Sequence, residues 1–193
     1  MAYMTKYNKF NLTCIGTHKF QAITDLCRDI PNGPVIEVGV YKGGMALHLA
    51  EIFPDRKIFL VDTFTGIPYS GPDDNIYKKG DFGDVNILDV VELFKNLPNI
   101  TILQGIFPDN FRDVFDKEMF AVIHLDVDVY QAYTDGLEYL YPRTIPGGII
   151  LLDDYRSIEW HGVSGATKAC DKFMQDISEE IKVHNDQYYF IKQ

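Results

Sequence analysis

An α/β fold built on a doubly wound, mostly parallel sheet, with helices on both faces and a C-terminal antiparallel strand pair, follows from three observations. Five short apolar runs bounded by Gly, Pro and Asp recur along the 193 residues. Helix-length segments lie between them, and only the last connection is short enough for a hairpin. Alternating strand and helix of this kind demands parallel strands joined by right-handed crossovers.

Before the first strand, Thr17 caps a predicted helix whose Phe20, Ile23, Cys27 and Ile30 share one face, closed by Pro31-Asn32-Gly33. The five runs are Pro34-Val35-Ile36-Glu37-Val38-Gly39, Lys57-Ile58-Phe59-Leu60-Val61-Asp62, Ile100-Thr101-Ile102-Leu103, Phe120-Ala121-Val122-Ile123-His124-Leu125-Asp126 and Gly148-Ile149-Ile150-Leu151-Leu152-Asp153. Each reads as a strand buried on both faces. Helices are predicted over 44–53, 85–97 and 130–141, the last with Tyr133, Leu137, Leu140 and Tyr141 at helical spacing. A further helix over 164–177 precedes Lys182-Val183-His184 and Tyr188-Tyr189-Phe190-Ile191, a strand pair around Asn185-Asp186-Gln187. The expectation is one domain over 1–193, with 1–30 as an N-terminal helical cover or lid. There are no repeats, and residues 65–84, rich in Gly, Pro, Asp and Tyr, form a long loop of the kind that is often functional.

Composition narrows the partner. Apolar residues make up 46% and charged residues 24%, ordinary globular usage, and a formal charge of −10 without a Lys/Arg cluster disfavours nucleic acid. The apolar runs fall far short of the roughly 20 residues a membrane helix needs, and the N-terminus lacks a signal-peptide core. A cytoplasmic protein with a small-molecule partner is expected. Cys14, Cys27 and Cys170 are too scattered for a disulfide framework and read as buried thiols.

Ligands of open parallel sheets bind beyond the carboxyl ends of the strands, so the polar residues there carry the chemistry. Four of the five strands end in an acidic or glycine-rich signal. Glu37-Val38-Gly39-Val40-Tyr41-Lys42-Gly43-Gly44 turns straight into a helix. Its spacing is neither the dinucleotide fingerprint nor a phosphate loop, and a tight turn alone would also account for its glycines. Asp62 ends the second strand, where a carboxylate can accept from both hydroxyls of a ribose, or merely cap the following loop. Asp126, Asp153 and Asp154 project at one edge, and three carboxylates packed together repel unless a cation joins them. An all-oxygen set suits Mg²⁺, or manganese, better than zinc. Asp128 belongs to the same D-x-D pair but ranks below Asp126, since two positions beyond it, past the strand end, it could instead cap the helix beginning near Tyr130.

These residues together resemble class I S-adenosylmethionine-dependent methyltransferases, and within them the macrocin-type O-methyltransferase family, over most of the chain. The resemblance rests on the glycine turn, Asp62-Thr63-Phe64-Thr65-Gly66-Ile67-Pro68, Gln104-Gly105-Ile106-Phe107-Pro108-Asp109, Leu125-Asp126-Val127-Asp128-Val129-Tyr130, Leu140-Tyr141-Pro142-Arg143 and Gly147-Gly148 to Asp153-Asp154-Tyr155. It implies a Rossmann-like methyltransferase sheet. Glu37, Gly39, Gly43, Asp62 and Thr63 would then hold S-adenosylmethionine, with Gln104, Gly105, Ile106 and Phe107 beside the adenine, and Asp126, Asp153 and Asp154 would carry Mg²⁺. Met45 departs from the small residue usual after the glycine pair, and the chain is shorter than many members.

The activity so implied is methyl transfer to a hydroxyl of a small molecule, a sugar or other vicinal diol, oriented by the metal. Asp126 is the first candidate proton acceptor and His161 the second, whereas His124, inside a strand, reads as a packed core residue. Tyr69, Tyr77, Phe82 and Trp160 are candidate walls for the sulfonium or the acceptor. The rivals are a metal-dependent glycosyltransferase using the D-x-D pair and a non-catalytic nucleoside-binding protein. Oligomeric state stays open, a homodimer being one option.

Overall fold

The central strands Val35–Val38 and Phe120–Leu125 are buried at every position and apolar at all but Glu37 and His124, because both faces are covered, and successive side chains feed two different cores. The computed structural model describes residues 8–156 and 164–193. Its strands are β1 (Val35–Val38), β2 (Ile58–Asp62), β3 (Ile100–Gln104), β4 (Phe120–Leu125), β5 (Thr144–Leu152), β6 (Lys182–His184) and β7 (Gln187–Ile191). They form one sheet in the order β3-β2-β1-β4-β5-β7-β6. The first five are parallel, β7 runs antiparallel to β5, and β6 pairs with β7. This is the architecture the sequence predicts. Order reverses between β1 and β4, which opens a crevice above their carboxyl ends.

The helices are α1 (Thr17–Leu26), α2 (Gly44–Ile52), α3 (Ile87–Phe94), α4 (Tyr130–Leu140) and α5 (Ser164–Phe173). On one face, Phe20 and Ile23 of α1, Leu49 of α2 and Leu93 of α3 pack with Val35, Ile58, Val122 and Ile149. On the other, Tyr133 and Leu137 of α4 and Ala166 and Cys170 of α5 pack with Ile36, Val61, Ile123 and Ile150. Between β3 and β4 no helix forms. There Phe107, Phe111 and Phe115 close the second core, Phe115 edge-to-face against Phe59 and Phe120 with ring centroids 5.1 and 5.6 Å apart.

Several boundaries differ from the sequence reading, each for a local reason. Gly16, not Thr17, occupies the N-cap of α1, and no side chain caps it. Asn86 caps α3 through Leu88 N, so this helix starts later than predicted. β5 reaches back to Thr144, with a register shift against β4 near Phe120 and Val122. The β6–β7 turn is only Asn185 and Asp186, both at positive φ (47° and 62°), which fits a two-residue turn of primed type. Cys14 is exposed rather than buried, while Cys27 and Cys170 are buried. Among the described residues, no helix is long and apolar enough to cross a membrane.

Candidate active site

A cleft of about 1090 Å³, counted to its open mouth, lies over the ends of β1, β2 and β4. Backbone corners surround it. Tyr41, Phe64 and Asp128, two or three residues beyond β1, β2 and β4, all adopt left-handed φ (50°, 51° and 61°). Such conformations cost about 1–3 kcal/mol each for non-glycine residues and gather where a site over-determines the backbone.

The glycine turn owes its composition to the protein's own packing. A Cβ on Gly39, at φ +89°, would sit 1.6 Å from the carbonyl oxygen of Asp126, so the exits of β1 and β4 touch through their backbones. One on Gly43 would meet Leu93 and Phe94 at 3.1 Å, and one on Gly44 the carbonyl of Lys9 at 2.4 Å. The close neighbours of these glycines are the Asp126 backbone, α3 and the 9–12 segment.

Asp62 holds this turn in place. Its Oδ2 accepts from the amides of Val40 and Tyr41 at 2.7 and 2.8 Å, and its Oδ1 from Phe64 N at 2.7 Å. A fourth, long contact of 3.5 Å comes from the Thr63 hydroxyl, the one partner a ligand hydroxyl could readily replace. Glu37, fully buried below, has no hydrogen-bond partner for Oε2. Burial pushes its carboxyl above the usual range.

From Glu37 a line of buried charges crosses the sheet. Glu37 stands in register with His124 on β4, whose Nδ1 lies 3.3 Å from Glu37 Oε1 and whose Nε2 lies 3.9 Å from Asp153 Oδ1. Burial alone would lower His124, but Asp153 and Glu37 outweigh it and push the imidazole up to about 9. It is a buried core histidine, as its strand position suggests, whose ring nitrogens face these carboxylates without a hydrogen bond to either. At the end of the line Lys19 of α1, 1% exposed, donates to Asp153 O at 2.7 Å and Oδ1 at 3.2 Å. Burial works to raise Asp153, yet Lys19 and His124 hold its carboxyl below the usual value.

The acidic rim is arranged differently from the expected trio of Asp126, Asp153 and Asp154. The carboxylates offering oxygens within 4.8 Å of one another are Asp126, Asp128 and Asp154. Asp153 lines the same cleft but turns Oδ1 to Lys19. Asp128 does not cap α4. Its left-handed backbone lets its own amide donate to Asp154 Oδ2 at 3.0 Å, and its carboxylate joins the group. Tyr133 of α4 sets the spacing below, its hydroxyl donating to Leu125 O at 2.9 Å and accepting from Asp154 N at 3.1 Å. At such separations each pair of ionised carboxylates repels by roughly 3–4 kcal/mol at an effective dielectric near 20. Burial followed by the neighbouring acids raises Asp126 and Asp128 well above the usual range, Asp153 being the strongest charge on Asp126. Asp154 is pushed up to about 6 by burial and then Asp153. Protons or a hard cation must balance this group, and its all-oxygen donors fit Mg²⁺.

The 65–84 loop forms one wall, with Tyr69, Tyr77 and Phe82 on the cleft and Tyr77 packed at 5.1 Å on Phe82. It is fastened to two helix starts. Asp74 Oδ1 accepts from Tyr130 N at 2.7 Å, supplying α4 with the cap its own N-cap Val129 lacks, and Ser164 Oγ donates to Asp73 O at 2.7 Å. A Cβ on Gly165 would lie 2.1 Å from Asp74 Oδ1, so α5 needs a glycine where the loop docks.

Of the expected cofactor residues, Glu37, Gly39, Asp62, Thr63, Gly105, Ile106 and Phe107 line the cleft. Two do not. Gly43 lies under the turn as the N-cap of α2, and Gln104 is exposed, donating to Thr63 O at 3.1 Å. His161 and Trp160 fall outside the described residues. Sequence reasoning missed Lys19, the place of Asp128, and the cleft-lining Thr13, Cys14 and Ile15. Lys19 was legible as the one charged residue beside the apolar face of a predicted helix.

A family model described as macrocin O-methyltransferase (TylF) matches residues 5–190. The chain belongs to that family. Among curated relatives, the mycinamicin III 3''-O-methyltransferase of Micromonospora griseorubida is 30% identical over 145 residues, 66% of this chain and 57% of the relative. The 8-demethyl-8-(2,3-dimethoxy-alpha-L-rhamnosyl)-tetracenomycin-C 4'-O-methyltransferase of Streptomyces olivaceus is 29% identical over 147 residues, 68% and 56% of the two chains. The alignments thus span little more than half the length of these relatives. The structure of the O-methyltransferase NovP aligns with a TM-score of 0.73 at 24% identity, covering 94% of this chain and 82% of that one. The calicheamicin methyltransferase CalS11 aligns at 0.74 with 19% identity, covering 90% and 77%. These establish the class I methyltransferase fold.

Proposed function

We propose that this chain is an S-adenosylmethionine-dependent, Mg²⁺-dependent O-methyltransferase acting on a hydroxyl of a small molecule, a sugar or another compound with neighbouring hydroxyls. The reading is carried by one observation: the turn held by Asp62, the unpartnered Glu37 Oε2 and the Asp126, Asp128 and Asp154 group face a single cleft. The relatives are named for methylating sugar-bearing compounds, which supports the acceptor class.

S-adenosylmethionine supplies a methyl group already activated on a sulfonium. Mg²⁺ supplies Lewis acidity that lowers the pKa of an acceptor hydroxyl. The chain's residues align the two. Asp62 and Thr63 hold the ribose, Glu37 offers its free oxygen to a positively charged part of the cofactor, and Gly105, Ile106 and Phe107 flank the adenine. Asp126, Asp128 and Asp154 hold the cation, with Asp153 beside them, and Asp126 takes the acceptor's proton, His161 being the second candidate. Tyr69 and Tyr77 wall the acceptor side and exclude water. The chain acts as one catalytic unit, with residues 8–30 as its cover; residues 1–7 of the expected cover lie outside the described residues.

Titration with S-adenosylhomocysteine and with nucleoside diphosphates tests the cofactor: tighter binding of a diphosphate would favour a glycosyltransferase. Excess chelator is expected to abolish methyl transfer to vicinal-diol acceptors, read as a mass gain of one methyl, while S-adenosylhomocysteine affinity changes less than about threefold. Transfer that persists in chelator would remove Mg²⁺ from the reaction.

A further inference from the structure

Lys19 is an unusual residue to find where it is. It sits on the sheet-facing side of α1 among Phe20, Ile23 and the ends of the strands, 1% exposed, and lysine is almost never buried so completely unless its charge is used. Its ammonium makes two contacts to one residue, the carbonyl oxygen of Asp153 at 2.7 Å and Oδ1 of the same residue at 3.2 Å. Both the backbone and the side chain at the exit of β5 are therefore fixed from α1, a helix more than a hundred residues away in sequence. Asp153 lines the cleft beside Asp154, and its amide donates to Leu125 O at 3.0 Å, which joins the exits of β4 and β5.

We propose that Lys19 is a positioning residue of the cation site. By gripping Asp153 at Oδ1 and at its carbonyl, it sets the orientation in which the Asp153-Asp154 pair faces Asp126, and makes α1 a fixed part of the site rather than a detachable lid. The inference rests on the divalent-cation reading above. Groups that hold a metal's surroundings from outside are themselves oriented by hydrogen bonds, and losing such a partner costs about 10–100-fold in metal affinity. A lysine that only fastened α1 to the sheet would matter for folding and leave cation affinity alone. One that acted only as a competing positive charge would, when removed, tighten cation binding. Orientation predicts the opposite sign.

The test is calorimetric titration of the whole chain with Mn²⁺ alone, comparing wild type, Lys19→Gln and Lys19→Met, with circular dichroism reporting the fold of each. Lys19→Gln removes the charge but keeps a donor for Asp153; Lys19→Met removes both. The expected order of affinity is wild type, then Lys19→Gln, then Lys19→Met, the last weaker than wild type by about 10–100-fold. A folded Lys19→Met that binds Mn²⁺ as tightly as wild type, or more tightly, overturns the proposal. If Lys19→Met does not fold, Lys19→Gln decides: weaker binding than wild type supports positioning, and equal or tighter binding overturns it. Wild type that fails to bind Mn²⁺ refutes the cation reading itself, a result distinct from any ranking of the variants.

Discussion

The two halves of the cleft are built on opposite principles. On the β1–β2 side, the carboxylate of Asp62 is satisfied by three backbone amides and the glycine turn is packed against its neighbours, so that, the unpartnered Glu37 Oε2 apart, that half is complete by itself. On the β4–β5 side, Asp126, Asp128 and Asp154 crowd together, their pKa values raised by burial and then by neighbouring acids, while the ion pairs of Lys19 and His124 on this side go to Asp153. One half is a preformed mould and the other a concentration of buried negative charge. A nucleoside can be recognised by a rigid surface, whereas a metal must be recognised by charge, at a cost in stability that burial makes large.

Joining the halves is where the comparison can be broken most severely. Gly39→Ala drives a methyl group into the Asp126 carbonyl at a left-handed φ, and is expected to cost more than about 4 kcal/mol, leaving little folded protein by circular dichroism. A well-folded Gly39→Ala would show that the seam yields.

Next comes the buried charge line. His124, held at about 9 against an ordinary 6.5, contributes stability that is fully present below about pH 6.5 and lost as pH rises through 9. Urea unfolding should show a loss on the order of 3 kcal/mol across that window, absent in His124→Gln. A flat profile for wild type would mean the imidazole is neutral.

Asp62→Asn sharpens the contrast from the other side. An amide group replaces an acceptor that faces three N–H donors, so stability should fall by about 1–3 kcal/mol and S-adenosylhomocysteine should bind about tenfold more weakly. Mn²⁺ affinity, read in the same titration, should not move if the halves are independent. The smallest effect is expected at Asp74→Ala, which uncaps α4 from the loop: about 1 kcal/mol, or roughly 2–4 °C in Tm by calorimetry.

Much of this was legible before the coordinates. The strand exits carry Gly39, Asp62, Asp126 and Asp153-Asp154 because a parallel sheet delivers every C-terminal end to one rim, so a linear pattern of apolar runs ending in acids already maps a site. What was hidden depends on contacts across the chain. The sequence presents Asp128 as a helix cap, since its left-handed backbone depends on the amide's bond to Asp154. Lys19 stands beside the apolar face of its predicted helix in the sequence, but its partner appears only when α1 is laid over β5. The glycines read in sequence as a tight turn or as room for a ligand, and their packing against the Asp126 carbonyl, Phe94 and Lys9 is invisible there.

Tyr133 has one further consequence. A single phenol ties the exits of β4 and β5, and it rides on α4, the helix whose first amide is held by Asp74 of the aromatic loop. The aromatic loop and the spacing of the acids therefore share a lever: a loop that shifts outward pulls on the same helix that gauges the gap between Asp126, Asp128 and Asp154.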